Sequence, residues 1–101
     1  MASLQATLDQ PIEDARVATR RVAGEQGWAL AEGESHDDSL VFKKGVKAFS
    51  WGSKITVQLQ ASSERETRLT LTTGETFALT DWGRGRRAAT RLLEGLGARE
   101  G

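Results

Sequence analysis

Apolar and polar residues alternate with a period of two from Ser53 to Thr73, with one break. Ile55, Val57, Leu59 and Ala61 are interleaved with Thr56, Gln58 and Gln60. Beyond the polar stretch Ser62-Ser63-Glu64-Arg65, the residues Thr67, Leu69, Leu71 and Thr73 are interleaved with Arg68, Thr70 and Thr72. Successive side chains of a strand point to opposite faces, so each run predicts a strand with one dry and one wet face. Two such runs joined by about four polar residues predict a β-hairpin. The rest of the chain then has to supply a cover for the hairpin's dry face.

Leu4, Ala6 and Leu8 alternate with Gln5 and Thr7, which predicts a first strand over residues 3–8. Pro11 suits the first position of a helix, where its missing N–H has no partner to lose. Asp9 or Gln10 is then the N-cap, and Glu13 and Asp14 face the positive end of the helix dipole. Ile12, Ala15, Ala18 or Thr19, and Val22 recur at helical spacing until Gly24 or Gly27, the latter being the better left-handed stop. Trp28 and Leu30 share one face of a second strand, and Glu34 to Ser39 form a polar turn. A third strand runs from Leu40 to Lys44, with Leu40 and Phe42 on one face and Val41 and Lys43 on the other. Gly45 opens an irregular connection that ends at Trp51-Gly52. After the hairpin, Asp81 is placed to cap a last helix over residues 82–96, with Ala88 or Ala89, Leu92, Leu93 and Leu96 on its apolar stripe. Gly95 and Gly97 end it, and residues 98–101 are expected to fray.

The order is therefore β-α-β-β-β-β-α. Four consecutive strands with short polar turns predict an antiparallel meander, and two striped helices need the same dry face. The predicted fold is an α+β two-layer sandwich: a curved, mainly antiparallel sheet with both helices on one face. The first strand, joined to the meander by a helical crossover, is expected parallel to a neighbour or at an edge. At 101 residues the chain reads as a single domain over residues 1–101, with an ordered core of about 3–97.

Composition narrows the functional field. Fourteen basic residues balance fourteen acidic ones, so net charge gives no reason to expect nucleic acid or an anionic membrane as partner. The balance hides an asymmetry: three basic against eight acidic residues in 1–40, and eleven against six in 41–101, or −5 and +5. Such halves are expected to be complementary surfaces of one fold, or the acidic and basic faces of a dimer. There is no cysteine, which removes disulfides, thiolate metal sites and thiol nucleophiles. No apolar run reaches the length of a membrane-spanning helix, and the N-terminus lacks a signal-peptide pattern, so a cytoplasmic location is expected.

Two Trp-Gly junctions and one arginine cluster are the candidate recognition elements. Ser50-Trp51-Gly52 and Asp81-Trp82-Gly83 each stand where an irregular segment meets a regular element. The indoles either plug the ends of the sandwich or, with Phe49, line a ligand or partner pocket of Phe49, Trp51 and Trp82. Arg84, Arg86 and Arg87 fall in the first turns of the last helix, where an anion or nucleic acid is the conceivable ligand and a solvated face the simpler one. No phosphate-loop spacing accompanies them. His36, the single histidine, has Asp37 and Asp38 beside it and reads as a turn residue; no metal site or cofactor is expected. No carboxylate sits inside an apolar strand where burial would tune it, so no catalytic residues are assigned and an enzyme is not expected. The predicted wet face carries Gln5, Thr7, Ala29, Ala31, Val41, Lys43, Thr56, Gln58, Gln60, Arg68, Thr70 and Thr72. Short polar and small residues of this kind suit sheet-to-sheet dimerisation or an extended protein partner.

On these residues the chain resembles a family of small uncharacterised bacterial domains that place Ser-Trp-Gly before an alternating strand and Asp-Trp-Gly before a C-terminal helix. Here those are residues 50–52 before Ile55-Thr-Val-Gln-Leu and residues 81–83 before Arg84 to Leu96, a likeness covering roughly residues 10–97. It implies no activity. The element order is also similar to one repeat of the TATA-binding-protein-like fold, which implies a curved sheet with two helices on one side. The DNA-wedging phenylalanines of that fold have no counterparts on the wet face, so minor-groove binding is not implied. The expected function is a non-enzymatic binding or interaction domain; a small-ligand or lipid-like carrier with a pocket between helices and sheet is the alternative.

Overall fold

The computed structural model describes residues 2–36, 38–44, 53–75 and 82–100. Its elements are β1 (Ala2–Leu8), α1 (Ile12–Glu25), β2 (Ala29–Leu30), β3 (Ser39–Lys44), β4 (Ser53–Ser63), β5 (Glu66–Glu75), α2 (Trp82–Leu96) and β6 (Arg99–Glu100), with a 3₁₀ turn at Glu32–Glu34. The strands form one sheet in the order β2-β3-β4-β5-β1-β6, and every pairing is antiparallel.

Dry residues meet dry residues across each pairing. Val57 stands opposite both Leu40 and Leu71, and Leu59 opposite Leu69. β1 adds Leu4 opposite Leu71 and Ala6 opposite Leu69. β1 is thus neither parallel to a neighbour nor at the edge: the α1 crossover sets it in the same direction as β2, the meander makes β5 run the opposite way, and β6 lies beyond it. α1 carries the chain from β1 to β2 at the far edge of the meander.

Both helices pack on this dry face. Ala15, Val22 and Ala23 of α1 and Ala89, Leu92 and Leu93 of α2 join Leu40, Phe42, Ile55, Val57, Leu69 and Leu71 in one buried cluster. The result is the two-layer α+β sandwich. Thr67 is the polar member of the dry face and is fully buried; its Oγ1 donates to the Gln10 carbonyl at 2.9 Å, tying β5 to the turn into α1. Thr19, also fully buried, donates to the Ala15 carbonyl one turn back at 2.7 Å.

Both helices stop in the same way. Gly27 and Gly97 have φ of 89° and 70°, a conformation costly for any residue with a Cβ. After α1, Trp28 N–H bonds the Ala23 carbonyl and Gly27 N–H the Gly24 carbonyl; after α2, Ala98 and Gly97 bond Leu93 and Glu94 likewise. This paired pattern is the Schellman motif. Gly95 lies inside α2 and does not end it.

Three local expectations are corrected. The N-cap of α1 is Pro11, without a side-chain cap, because its carbonyl already accepts from Ala15 N–H. Asp9 is instead drawn to Arg99. The tail is not frayed at Arg99–Glu100, which pair with Ala6 and Thr7; Arg99 Nη2 reaches Asp9 Oδ1 at 2.7 Å and Glu66 Oε2 at 3.5 Å. The β4–β5 connection is the two-residue turn Glu64-Arg65, with a register shift between Ala61 and Ser63. Neither turn residue has a positive φ, so the mirror-image turn that fits strand twist is not formed, and the irregularity beside it takes up the mismatch. Ala61, the last β4 residue before the shift, pairs with Thr67 in regular register and is exposed.

Candidate interaction surface

The register that buries one face arranges the other in rows. Ser3, Thr72, Thr56 and Val41 stand side by side across four strands, and Gln5, Thr70, Gln58 and Ser39 form the next row. Thr7, Arg68 and Gln60 follow toward the hairpin tip. Gln5, Gln58, Gln60 and Arg68 are exposed, and Thr7, Thr56, Thr70 and Thr72 are half-buried by their neighbours. Val41 departs from this pattern: it is buried, with its N–H bonded to Ser35 Oγ at 3.0 Å and its carbonyl to Ala31 N–H at 2.8 Å. The 31–36 segment thus satisfies the backbone of β3 at the sheet margin.

Near that margin the face carries two lysines, Lys43 and Lys54, directly opposite each other. Like charges so placed repel. Glu34, from the 3₁₀ turn, reaches over both: it bonds Lys43 Nζ, and its Oε1 accepts from Lys54 Nζ at 3.2 Å. Those hydrogen bonds, that from Lys43 first, hold the Glu34 carboxyl below the usual glutamate range. Glu34–Lys43, Glu34–Lys54 and Asp9–Arg99 each join the acidic first part of the chain to the basic second part. Among the described residues, the two halves complement each other within the fold.

The sequence-derived site residues fall at one border of what is described. Phe49 and Trp51, and the cap residue Asp81, lie outside the described residues. Trp82, Arg84 and Arg86 belong to the first turns of α2, where the backbone alone is described; Arg87 follows and is exposed. The strand ends that bracket 45–52 and 76–81 are neighbours, with Lys44 opposite Ser53 and Ser53 opposite Glu75. The structure neither gathers nor separates the side chains of the two Trp-Gly junctions.

His36 is a turn residue, as its acidic neighbours suggest: its N–H and carbonyl bond the carbonyl and N–H of Ser39 at 2.8 and 3.2 Å. Among the described residues no three His, Asp or Glu side chains converge as a metal site requires, and no helix is long and apolar enough to cross a membrane. Sequence reasoning missed a cleft of about 210 Å³ between α1 and the 31–36 segment, lined by Arg16, Arg20, Leu30, Glu32, Ser35 and His36. Its sequence signal was the i, i+4 spacing of Arg16 and Arg20, which puts both on one helix face.

Compared with known proteins, the chain matches no model of a protein family, and no curated protein matches it significantly.

Proposed function

We propose that this chain is a non-enzymatic interaction domain whose uncovered sheet face docks against a second copy of itself. The observation that carries the reading is the state of charge on that face. Its one like-charge conflict, Lys43 against Lys54, is resolved internally by Glu34. Beside Arg99, which stands opposite Thr7 and is ion-paired with Asp9 and Glu66, what remains is rows of threonine, glutamine and serine around Arg68. Hydroxyls and amides both donate and accept, so such a surface is complementary to itself, whereas a strongly charged partner would find little to select it.

Geometry and size fit. A two-fold axis through the Thr56–Thr72 row would leave each Arg68 about 13 Å from the axis, at four residues of about 3.3 Å, so the arginines do not face each other. Four strands about 4.8 Å apart and about nine residues long cover roughly 570 Å² in projection. A corrugated surface of that projection approaches the roughly 800 Å² per partner of a standard interface.

Sedimentation equilibrium tests the reading. The wild type is expected to approach twice its 11.0 kDa mass. Gln58→Arg, which adds an unpaired cation beside Arg68 on the exposed face without touching the core, is expected to weaken the dimer at least about tenfold. A wild type that stays monomeric, or a dimer indifferent to Gln58→Arg, contradicts it.

A further inference from the structure

We propose that the outward face of α1 binds the same face of a second copy, the two helices lying antiparallel about a two-fold axis at Val17. Among the described residues Val17 is the large apolar side chain left exposed, at 67%. It stands opposite the buried stripe of Ala15, Ala18, Thr19, Val22 and Ala23. The exposed strip around it is ordered by charge: Glu13 and Asp14 come one turn before Val17, and Arg20 and Arg21 one turn after. Arg16, half-buried on the flank of the strip, is already engaged and takes no part. Neither the helix nor its dipole accounts for this order. The acidic pair is six to eight residues from the basic pair, beyond the three or four at which side chains of one helix meet. The dipole acts within the terminal turns, and the last turn of α1 holds no basic residue and ends on Glu25. Among the described residues no ion pair engages Glu13, Asp14, Arg20 or Arg21.

A two-fold axis at Val17 answers the pattern. The acidic pair of each copy then lies beside the basic pair of the other, and the two valines meet at the centre. Like charges stay apart: the two Glu13 are eight residues, about 12 Å, from each other along the helices. The face carries its own complement, which is why a second copy is the occupant it fits. The strip is small. Fourteen residues make a helix about 21 Å long. A contact about 10 Å wide along it covers about 210 Å², well below the roughly 800 Å² per partner of a standard interface. The contact is therefore weak, with a Kd on the order of 1 mM, and sensitive to salt. It faces away from the open side of the sheet, so it does not depend on the sheet-face dimer and is dissociated at the dilutions at which that dimer is weighed.

The test is a concentration series of ¹⁵N–¹H correlation spectra of the intact chain, from about 0.05 to about 2 mM. Shifts that grow with concentration are expected at residues 13–24 and are expected to shrink in added salt. Two charge variants at exposed positions decide the geometry. Glu13→Lys with Asp14→Lys makes both ends of the strip basic, and Arg20→Glu with Arg21→Glu makes both acidic. Each variant alone is expected to lose the α1 shifts, a weakening of at least about fivefold. An equimolar mixture of the two is expected to regain them at least as strongly as the unaltered chain, which also shows that both variants are folded. Absence of concentration-dependent shifts in α1, shifts that persist in either variant alone, or a mixture that stays silent would overturn the assignment. Shifts confined to the strands would support the sheet-face dimer and overturn the α1 contact, so the two interfaces fail separately.

Discussion

Gly95 of α2 lies against Val22 of α1: a Cβ on Gly95 would stand 2.6 Å from Val22 Cγ1 and 2.8 Å from Gln26 Nε2. The two helices that roof the sheet meet here. Gln26 Nε2 donates to the Arg91 carbonyl at 2.9 Å across the same junction. The Val22 and Gln26 side chains occupy the space that a Cβ at position 95 would take, and this is why a glycine fits inside α2.

Gly95→Ala therefore sets two effects against each other. Alanine is the better helix former by about 1 kcal/mol, but overpacking typically costs about 1–3 kcal/mol. A valine methyl has few rotamers with which to yield. We expect a net loss of about 1 kcal/mol, read as a lower urea midpoint. In a Val22→Ala background only the flexible end of the Gln26 side chain stands in the way, and the same substitution is expected to cost less than in the wild type. A double-mutant cycle without coupling between the two positions would show that the helices do not touch there.

Thr67 gives a second stability prediction. Its hydroxyl is the buried partner of the Gln10 carbonyl. Thr67→Val keeps the shape and leaves that carbonyl short of a donor, at an expected cost of about 1–2 kcal/mol. Thr70→Val, three residues along β5 and on the wet face, serves as the control and is expected to change stability by less than about 0.5 kcal/mol.

Glu34 gives a prediction in pH. Its carboxyl is held below the ordinary value of 4.5 by hydrogen bonds from Lys43 and Lys54. A depressed folded-state pKa means that the contribution to stability is full above 4.5 and is lost as the pH falls through the lower, folded value. In a carboxyl ¹³C titration, Glu34 is expected to have a midpoint below those of the other glutamates. Lys54→Met is expected to raise it, and Glu34→Gln to remove the acid-labile increment. A Glu34 midpoint at or above 4.5 would show the carboxylate is not shared between the lysines. All three groups are exposed, so added salt is expected to weaken the effect.

Much of the fold was legible because period-two alternation is a direct image of a half-buried strand. Ile55, Val57, Leu59, Leu69 and Leu71 read correctly to the residue. Ala61 did not: it pairs in regular register with Thr67 yet is exposed near the hairpin tip, and alternation tells which face a residue takes, not how far the cover over that face extends. β6 was missed for a different reason: Arg99-Glu100 carries no apolar pattern and is fixed by a ladder and by ion pairs to Asp9 and Glu66, far away in the chain. The same holds for Glu34 with its two lysines and for the Arg16–Arg20–His36 cleft. Contacts between hydrophilic side chains distant in sequence leave no periodic trace, so the surface chemistry was less readable than the core.

Disulfide trapping tests the central claim, that one side of the sheet is open and meets its own copy, most directly. The natural chain has no cysteine, so Thr56→Cys introduces a lone thiol in the row that the two-fold axis follows, and Glu13→Cys introduces one on exposed α1. Under mild oxidation we predict rapid covalent dimerisation of Thr56→Cys and slow reaction of Glu13→Cys. Equal rates for both, or a Thr56→Cys thiol that stays monomeric, would contradict the account.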